Sequence, residues 1–205
     1  MPKRHHNATI SRWGSGWDFH PLAGLIMAGG WGTLEGHTGW QWLDKVERSV
    51  DYGVSFQELA PIPPYTQPRH LPFELRTYHG RAEFCLTIVD ESTVFALGGR
   101  FGPDWNLIND ELLKLDLETN EWTTLGRLNR GNRHGRGFVS GITGHSCFNR
   151  EGEIFVVGGT FQDNIFYNDV DIYNIATGVW RKSEFFQVHH HLLHGGAGGC
   201  GLRLG

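Results

Sequence analysis

The sequence has few of the residues that define disulfide-rich or membrane-spanning proteins. It has three cysteines in 205 residues, and its longest apolar run, Leu22 to Ala28, is too short to cross a bilayer. The odd, widely spaced Cys85, Cys147 and Cys200 match neither a disulfide framework nor a paired-cysteine zinc site. We therefore predict reduced thiols and a cytoplasmic location. No apolar stretch follows the basic N-terminus, so a secretion signal is not predicted and the Asn7 sequon is interpreted as a chance match.

An excess of charge of one sign is also lacking. The 18 basic and 22 acidic residues give a net charge of -4, which offers no overall attraction to nucleic acid or anionic membranes. Glycine and aromatic residues, by contrast, are abundant. There are 29 glycines, twice the usual share of about 7%, together with 8 tryptophans and 13 phenylalanines. This much bulky apolar surface excludes a disordered chain, and the glycines indicate turns or close backbone approach.

One sequence unit occurs three times along the chain. In each copy an apolar run is followed directly by a double glycine. Further along the chain, an apolar residue or a tyrosine stands next to Asp or Asn, and an aromatic residue follows. Six residues separate Asp116 from Trp122 and Asn174 from Trp180 in the two clear copies. In the first copy a phenylalanine stands where the tryptophan is expected. The motif residues are Gly29, Gly30, Phe56, Gly98, Gly99, Trp122, Gly158, Gly159, Tyr173 and Trp180.

Each unit is predicted to be a series of short strands joined by tight turns. The apolar runs before the double glycines are four to six residues long and rich in Val, Ile and Phe, which is typical of buried strands. A further strand is predicted at Glu111 to Leu117 and at Val170 to Ile175. Asn120 and Gly178 then supply the residue that tolerates positive φ in a short hairpin. The predicted fold class is all-β.

This pattern resembles the kelch motif, and the resemblance implies that each unit folds as a four-stranded blade of a β-propeller. The units span approximately 21–60, 78–126 and 134–183, after an irregular segment at 1–20 and before a His/Gly-rich irregular tail at 186–205. Segments ahead of the second and third double glycines resemble the family's innermost strand. The first unit departs from the pattern at its phenylalanine and has a hairpin one residue shorter. We expect the two motif tryptophans to pack against the neighbouring blade.

Three units are fewer than the four to eight blades that usually close a propeller. The sequence therefore predicts a partial or open propeller whose first and last blades expose apolar outward faces. An incomplete fragment of a longer propeller fits this expectation, and so does a homodimer in which two arcs complete a six-bladed ring. A truncated product without independent function is a further alternative.

The candidate binding residues lie between the second and third units. Arg127, Arg130, Arg133 and Arg136 recur every three residues, with His134 among them. Guanidinium groups bind carboxylate or phosphate through two parallel hydrogen bonds, so this stretch predicts an anion-binding loop. The alternative is a solvated connection in which one arginine braces a neighbouring blade. The stretch has no aromatic platform that would favour RNA binding.

No other cluster predicts a reaction. His189 to His191 with His194 could collect a metal adventitiously, or could begin a fourth inner strand. Cys85 and Cys147 occupy similar places in their units and are expected to pack as small apolar groups. Some relatives with this architecture are copper enzymes that oxidise alcohols, but no tyrosine has a spacing that identifies such a site. The tyrosines are Tyr52, Tyr65, Tyr78, Tyr167 and Tyr173.

We therefore predict a protein–protein interaction module that binds an unidentified protein partner through its inter-strand loops. No enzymatic activity, cofactor, metal, nucleic-acid partner or membrane partner is predicted. A galactose-oxidase-like copper oxidoreductase fragment is the alternative of a different class. Measurement of copper binding and alcohol oxidation would distinguish the two functions.

Overall fold

A computed structural model describes residues 11–33, 38–66, 77–102, 107–128, 141–161 and 165–183. Within these ranges every helix or strand assignment is a strand, which confirms the all-β prediction. Three four-stranded antiparallel sheets follow one another along the chain, and we refer to them as blades 1, 2 and 3. No helix in the described part of the chain is long and apolar enough to span a bilayer.

Each blade is a simple meander in which consecutive strands are neighbours. Blade 1 contains β1 to β4, blade 2 contains β5 to β8, and blade 3 contains β9 to β12. The strands are β1 Gly16–His20, β2 Gly24–Ala28, β3 Val46–Ser49, β4 Gln57–Leu59, β5 Cys85–Ile88, β6 Thr93–Leu97, β7 Glu111–Asp116, β8 Glu121–Arg127, β9 Ser146–Arg150, β10 Glu153–Val157, β11 Val170–Asn174 and β12 Val179–Lys182.

Strands of only two residues form small ladders in the connections between the blade strands. One three-stranded ladder belongs to blade 1, and the other ladders are two-stranded hairpins. The pairs, in chain order, are Arg12–Trp13 with Trp31–Gly32, Trp31–Gly32 with Gln41–Trp42, Tyr65–Thr66 with Thr77–Tyr78, Arg100–Phe101 with Leu107–Ile108, and Thr160–Phe161 with Ile165–Phe166.

The pairing registers agree with the repeat that the sequence predicts. Trp122 lies opposite Leu115 in blade 2, and Trp180 lies opposite Tyr173 in blade 3. Asn120 and Gly178 close the two hairpins with φ values of 58° and 69°, as expected for these turns. The stretch that becomes β7 could pass for a helical turn by its apolar residues alone, but it is a strand, as its place in the repeat predicts.

Blade 1 begins earlier than the sequence-based boundary. The prediction of an irregular segment at residues 1–20 is wrong for β1, in which Trp17 pairs with Met27 and Phe19 pairs with Leu25. The signal is the alternation of two aromatic residues with Asp18 and His20, which is the period of a strand. Blade 1 also has an outer strand, β4, of three residues, whereas β8 in blade 2 has seven.

The hydrophobic core lies between the blades rather than within them. Ile26 of blade 1 packs in one cluster with Leu86 and Leu113 of blade 2, and Trp122 packs against that cluster. Phe95 of blade 2 shares a second cluster with residues of blade 3, against which Trp180 packs. Both tryptophans thus occupy equivalent inter-blade positions, as predicted. Each junction joins one face of a blade to the opposite face of the next.

The first strands of the three blades lie side by side along the inner edge of the arc. In the described ranges β5 contacts both β1 and β9, so blade 2 is the middle blade of an open arc. A disulfide joins Cys85 of β5 to Cys147 of β9, with their Cα atoms 5.6 Å apart. The prediction of reduced thiols is therefore wrong for these two residues. Cysteines at similar places in adjacent repeats become neighbours because adjacent inner strands run side by side.

Candidate binding face

The three inner strands begin at the same end of the arc, and we call this end the loop face. Gly16, Cys85 and Ser146 are the first residues of these strands, and each pairs with the residue just before a double glycine. The long connections between the second and third strands of each blade, at 29–45, 98–110 and 158–169, therefore start from this end. The short hairpins that close the third and fourth strands lie at the opposite end.

The double glycines hold neighbouring blades together on the loop face. The amide of Gly30 donates a hydrogen bond to the carbonyl of Arg81 (2.7 Å), and the amide of Gly99 donates one to the carbonyl of Ile142 (2.8 Å). A Cβ atom added to Gly98 would lie 2.5 Å from the Ile142 carbonyl oxygen. Side chains are excluded here because the next blade's backbone comes this close.

A pocket of about 220 Å³ lies at the loop-face end of the inner strands. Its wall is formed by residues at or next to the starts of β1, β5 and β9, and includes Trp17, His145 and the disulfide cysteines. Gly16 forms part of the wall, and a Cβ atom at this position would lie 2.6 Å from the Phe84 ring. Residues from all three blades thus form one concave surface.

Three exposed tryptophans lie on blade 1 or in the segments that connect its strands. Trp13, Trp17 and Trp40 expose 54%, 65% and 54% of their surfaces. The repeat motif does not include them, and Trp13 and Trp17 lie in the segment predicted to be irregular. Trp13 lies in a two-residue ladder and Trp40 directly precedes one, and no sequence period predicts these ladders.

The connections that carry Trp13 and Trp40 are tied to each other and to blade 2. Trp13 lies opposite Trp31 in the ladder, and Trp31 lies opposite Trp42. The rings of the latter two meet edge to face with their centroids 4.9 Å apart. The indole nitrogen of Trp42 donates a hydrogen bond to the Gly102 carbonyl of blade 2 (2.8 Å). This part of the loop face is consequently held by aromatic packing and inter-blade hydrogen bonds.

Charged groups join the connections of blades 2 and 3. Arg100 Nε lies 2.7 Å from Glu83 Oε2, and the Thr143 hydroxyl donates a hydrogen bond to the same carboxylate oxygen (2.8 Å). Backbone hydrogen bonds link Thr143 and Thr160 in both directions. The loop face is thus braced at both junctions of the arc.

Arg127 is the one predicted binding residue that the structure describes, and its guanidinium is engaged within the protein. It lies 3.4 Å from an Asp110 carboxylate oxygen and donates a hydrogen bond to the Tyr65 hydroxyl at 3.4 Å. It also lies over the Tyr65 ring, 5.5 Å from the centroid. Burial of Tyr65 raises the pKa of its hydroxyl. Tyr65 belongs to the connection between blades 1 and 2, so Arg127 acts there as a brace between blades, the alternative role that the sequence analysis allowed.

The other predicted candidates lie outside the described residues. These are Arg130, Arg133, His134 and Arg136, together with the histidine tract at 189–194. Among the residues that the structure does describe, no group of three His, Cys, Asp or Glu side chains could hold a metal ion. Tyr65 and Tyr78 lie opposite each other in a hairpin, and both rings pack on Phe101.

Comparisons with known proteins agree with this architecture. The family model described as "Kelch motif" matches residues 142–183, which contain all of blade 3. A solved structure entitled "Structure of YjhT" superposes with a TM-score of 0.60 at 17% identity, covering 84% of this chain and 52% of that one. The chain thus spans about half the length of that structure. A search of curated proteins gives no match. The third blade thus matches the kelch motif, and the chain is built as three consecutive four-stranded blades of β-propeller type.

Proposed function

We propose that this chain is a protein-interaction module of the kelch-repeat type that binds its partner on the loop face. The observation that carries the proposal is a set of three tryptophans on blade 1 and its connections, Trp13, Trp17 and Trp40, each more than half exposed. Trp17 also lines the pocket. Tryptophan is enriched among the residues that dominate binding energy, because it brings a large contact area and an indole donor.

The construction of the loop face supports a binding role. The ladder that carries Trp13 is tied through Trp31 and Trp42 to the Gly102 carbonyl of blade 2. A surface held in this way loses little conformational entropy when a partner binds, so more of the contact energy contributes to affinity. The adjacent pocket of about 220 Å³ could accept a partner side chain beside Trp17.

A contribution of the basic stretch to partner binding stays a prediction. Arg127 is engaged with Asp110 and Tyr65, so the anion-binding role would fall to Arg130, Arg133, His134 and Arg136. Replacing Arg130 and Arg133 with Glu should weaken an acidic partner more at low salt than at high salt, because screening reduces exposed charge interactions. A loss of binding that is equal at both salt concentrations would assign this stretch to folding instead.

The lack of enzymatic activity and the cytoplasmic location also stay predictions. The location was inferred from reduced thiols, and the Cys85–Cys147 disulfide removes that support. Disulfides persist mainly in oxidising compartments, so the bridge favours a location outside the cytoplasm.

The proposal is tested by affinity capture with matched variants. The tagged chain, a Trp13→Ala/Trp40→Ala variant and a Tyr52→Ala variant are used as baits, and the captured proteins are identified by mass spectrometry. Tyr52 is the control because it is an aromatic residue of blade 1 that is 87% exposed in a hairpin at the opposite end. A partner that the wild-type and Tyr52→Ala chains retain and the double variant loses supports the loop face. Equal capture by all three baits contradicts it.

A further inference from the structure

We infer that the Cys85–Cys147 disulfide is a thiol-exchange site, which a small-molecule thiol of about amino-acid size reaches through the pocket on the loop face. The product is a mixed disulfide on Cys147 and a free thiol on Cys85. The exchange needs no protein partner. It therefore succeeds or fails independently of the binding role proposed for the loop face.

The disulfide lies in the wall of the pocket and not in a closed core. Both cysteines line the pocket, whose volume is about 220 Å³. Three further wall positions carry either no side chain or a single hydroxymethyl group, namely Ser15, Gly16 and Ser146. Short side chains here leave the pocket open beside the bridge. The rate of thiol–disulfide exchange depends on the access that the attacking thiolate has to a sulfur atom.

The two cysteines of the bridge differ in burial. Cys85 is 6% exposed and belongs to the apolar cluster between blades 2 and 3. Cys147 is only partly buried and packs against that cluster. Because the less buried sulfur is the easier one to reach, the incoming thiolate attacks Cys147, and Cys85 is the leaving group.

The exchange is balanced without any group beyond the thiol itself. The thiol loses its proton, and the thiolate forms a new S–S bond with Cys147 Sγ while the bond to Cys85 breaks. The electron pair of the broken bond goes to Cys85 Sγ, which takes up the proton that the thiol released. A second thiolate can then attack the mixed disulfide, which leaves two protein thiols and the oxidised small-molecule disulfide.

Blades 2 and 3 have other contacts that hold them together when the bridge opens. The amide of Gly144 donates a hydrogen bond to the Glu83 carbonyl (2.9 Å), and the amide of Gly99 donates one to the Ile142 carbonyl (2.8 Å). Phe95 of blade 2 packs in one buried cluster with residues of blade 3. Opening of the disulfide is therefore a local change at the pocket wall, and exchange does not require the chain to unfold.

The test measures exchange with free cysteine as the small thiol. A Cys200→Ser chain, which lacks the third thiol, is incubated with cysteine at several urea concentrations below its unfolding transition. Excess N-ethylmaleimide stops the reaction, and peptide mapping locates the modifications. The expected early product carries cysteine on Cys147 and maleimide on Cys85, and its rate of formation changes little with urea. Circular dichroism should show that the modified chain is folded.

Two results of this experiment would overturn the inference. An exchange rate that rises with urea in parallel with the unfolding equilibrium would mean that the bridge is attacked only in the unfolded chain. Early attachment of cysteine to Cys85 would mean that the attack does not come from the pocket. Neither result depends on a variant of the pocket.

A matched pair of variants tests the route through the pocket. Ser146 and Arg150 are both exposed on β9 and lie four residues apart on the same face, but only Ser146 lines the pocket. Ser146→Trp should slow the exchange by about 10-fold or more, because the indole blocks access to the sulfur, whereas Arg150→Trp should stay within about twofold of the parent chain. Equal rates for the two variants would contradict the route. If Ser146→Trp fails to fold, Ser15→Trp blocks the same pocket from blade 1.

Discussion

The face of blade 2 that packs on blade 1 and the outward face of blade 1 carry apolar residues in the same register. They differ in what lies against them. Leu86 and Ile88 are buried between blades, whereas the equivalent Trp17 and Phe19 are 65% and 45% exposed. At the other end of the arc, Phe155 on the outward face of blade 3 occupies the position that the buried Phe95 occupies in blade 2. Apolar character thus follows from the repeat, whereas burial depends on a neighbouring blade. The two end faces therefore carry the apolar side chains of an inter-blade face without a neighbouring blade among the described residues.

The largest expected effect concerns the motif tryptophans. Trp122→Ala should lower the free energy of unfolding by up to about 5 kcal/mol and Trp180→Ala by at least about 3 kcal/mol, because each removes a ring packed on an inter-blade cluster. Trp122 also loses the hydrogen bond from its indole to the Ala60 carbonyl. Arg130→Ala is the control and should stay within about 0.5 kcal/mol. Small and equal losses for both tryptophans in denaturant titrations would contradict their inter-blade role.

The second effect tests how strongly the disulfide holds blade 3 to blade 2. Cys85→Ser should cost about 4 kcal/mol, because the bridge closes a loop between residues 62 positions apart and restricts the unfolded chain. Cys147→Ser should cost as much, and the double variant no more. Alkylation of the denatured wild-type chain without reductant should label one thiol, Cys200. Labelling of three thiols would show that the bridge is not formed.

A third measurement sharpens the comparison between covered and outward faces. Ile88→Ala should destabilise the monomer by about 3 kcal/mol, since it leaves a cavity in a cluster with almost no exposure. Phe19→Ala, at the equivalent outward position, should cost under about 1 kcal/mol in dilute solution. A loss for Phe19→Ala as large as that for Ile88→Ala would mean that the outward face is already covered within one chain.

The smallest effect concerns the exposed hairpin of blade 1. Hydrogen bonds from the Ser55 side chain and amide and from the Ser49 hydroxyl lower the pKa of Asp51 to about 2, from an ordinary value of 3.8. The stability that this carboxylate adds is therefore fully present above pH 3.8 and is lost as the pH falls through about 2. Asp51→Asn should melt at a temperature that changes less between pH 5 and pH 2 than the wild-type melting temperature does. Identical pH profiles would contradict the hydrogen-bonded hairpin.

Much of the fold follows from local sequence because the repeat is local. Asn120 and Gly178 indicated their hairpins, and the spacing from Asp116 to Trp122 placed a strand where apolar content alone was ambiguous. The sequence-based boundary misses the start of blade 1 because β1 lies ahead of the first double glycine, where the signal is the alternation of Trp17 and Phe19 with polar residues. The regularly spaced arginines predict an anion-binding loop, yet Arg127 braces the blades through Asp110 and Tyr65.

The sequence by itself determined the blade, its turns and the face on which each apolar residue lies, since these depend on alternation and on residues that tolerate particular backbone angles. The tertiary structure decided which residues meet across the junctions. Cys85 and Cys147 are far apart along the chain but lie on adjacent inner strands, so their pairing depends on the arrangement of blades. The position of Trp13 likewise depends on a ladder between separate segments, Arg12–Trp13 with Trp31–Gly32. Contacts of this kind arise from the packing of whole blades, which no local period encodes.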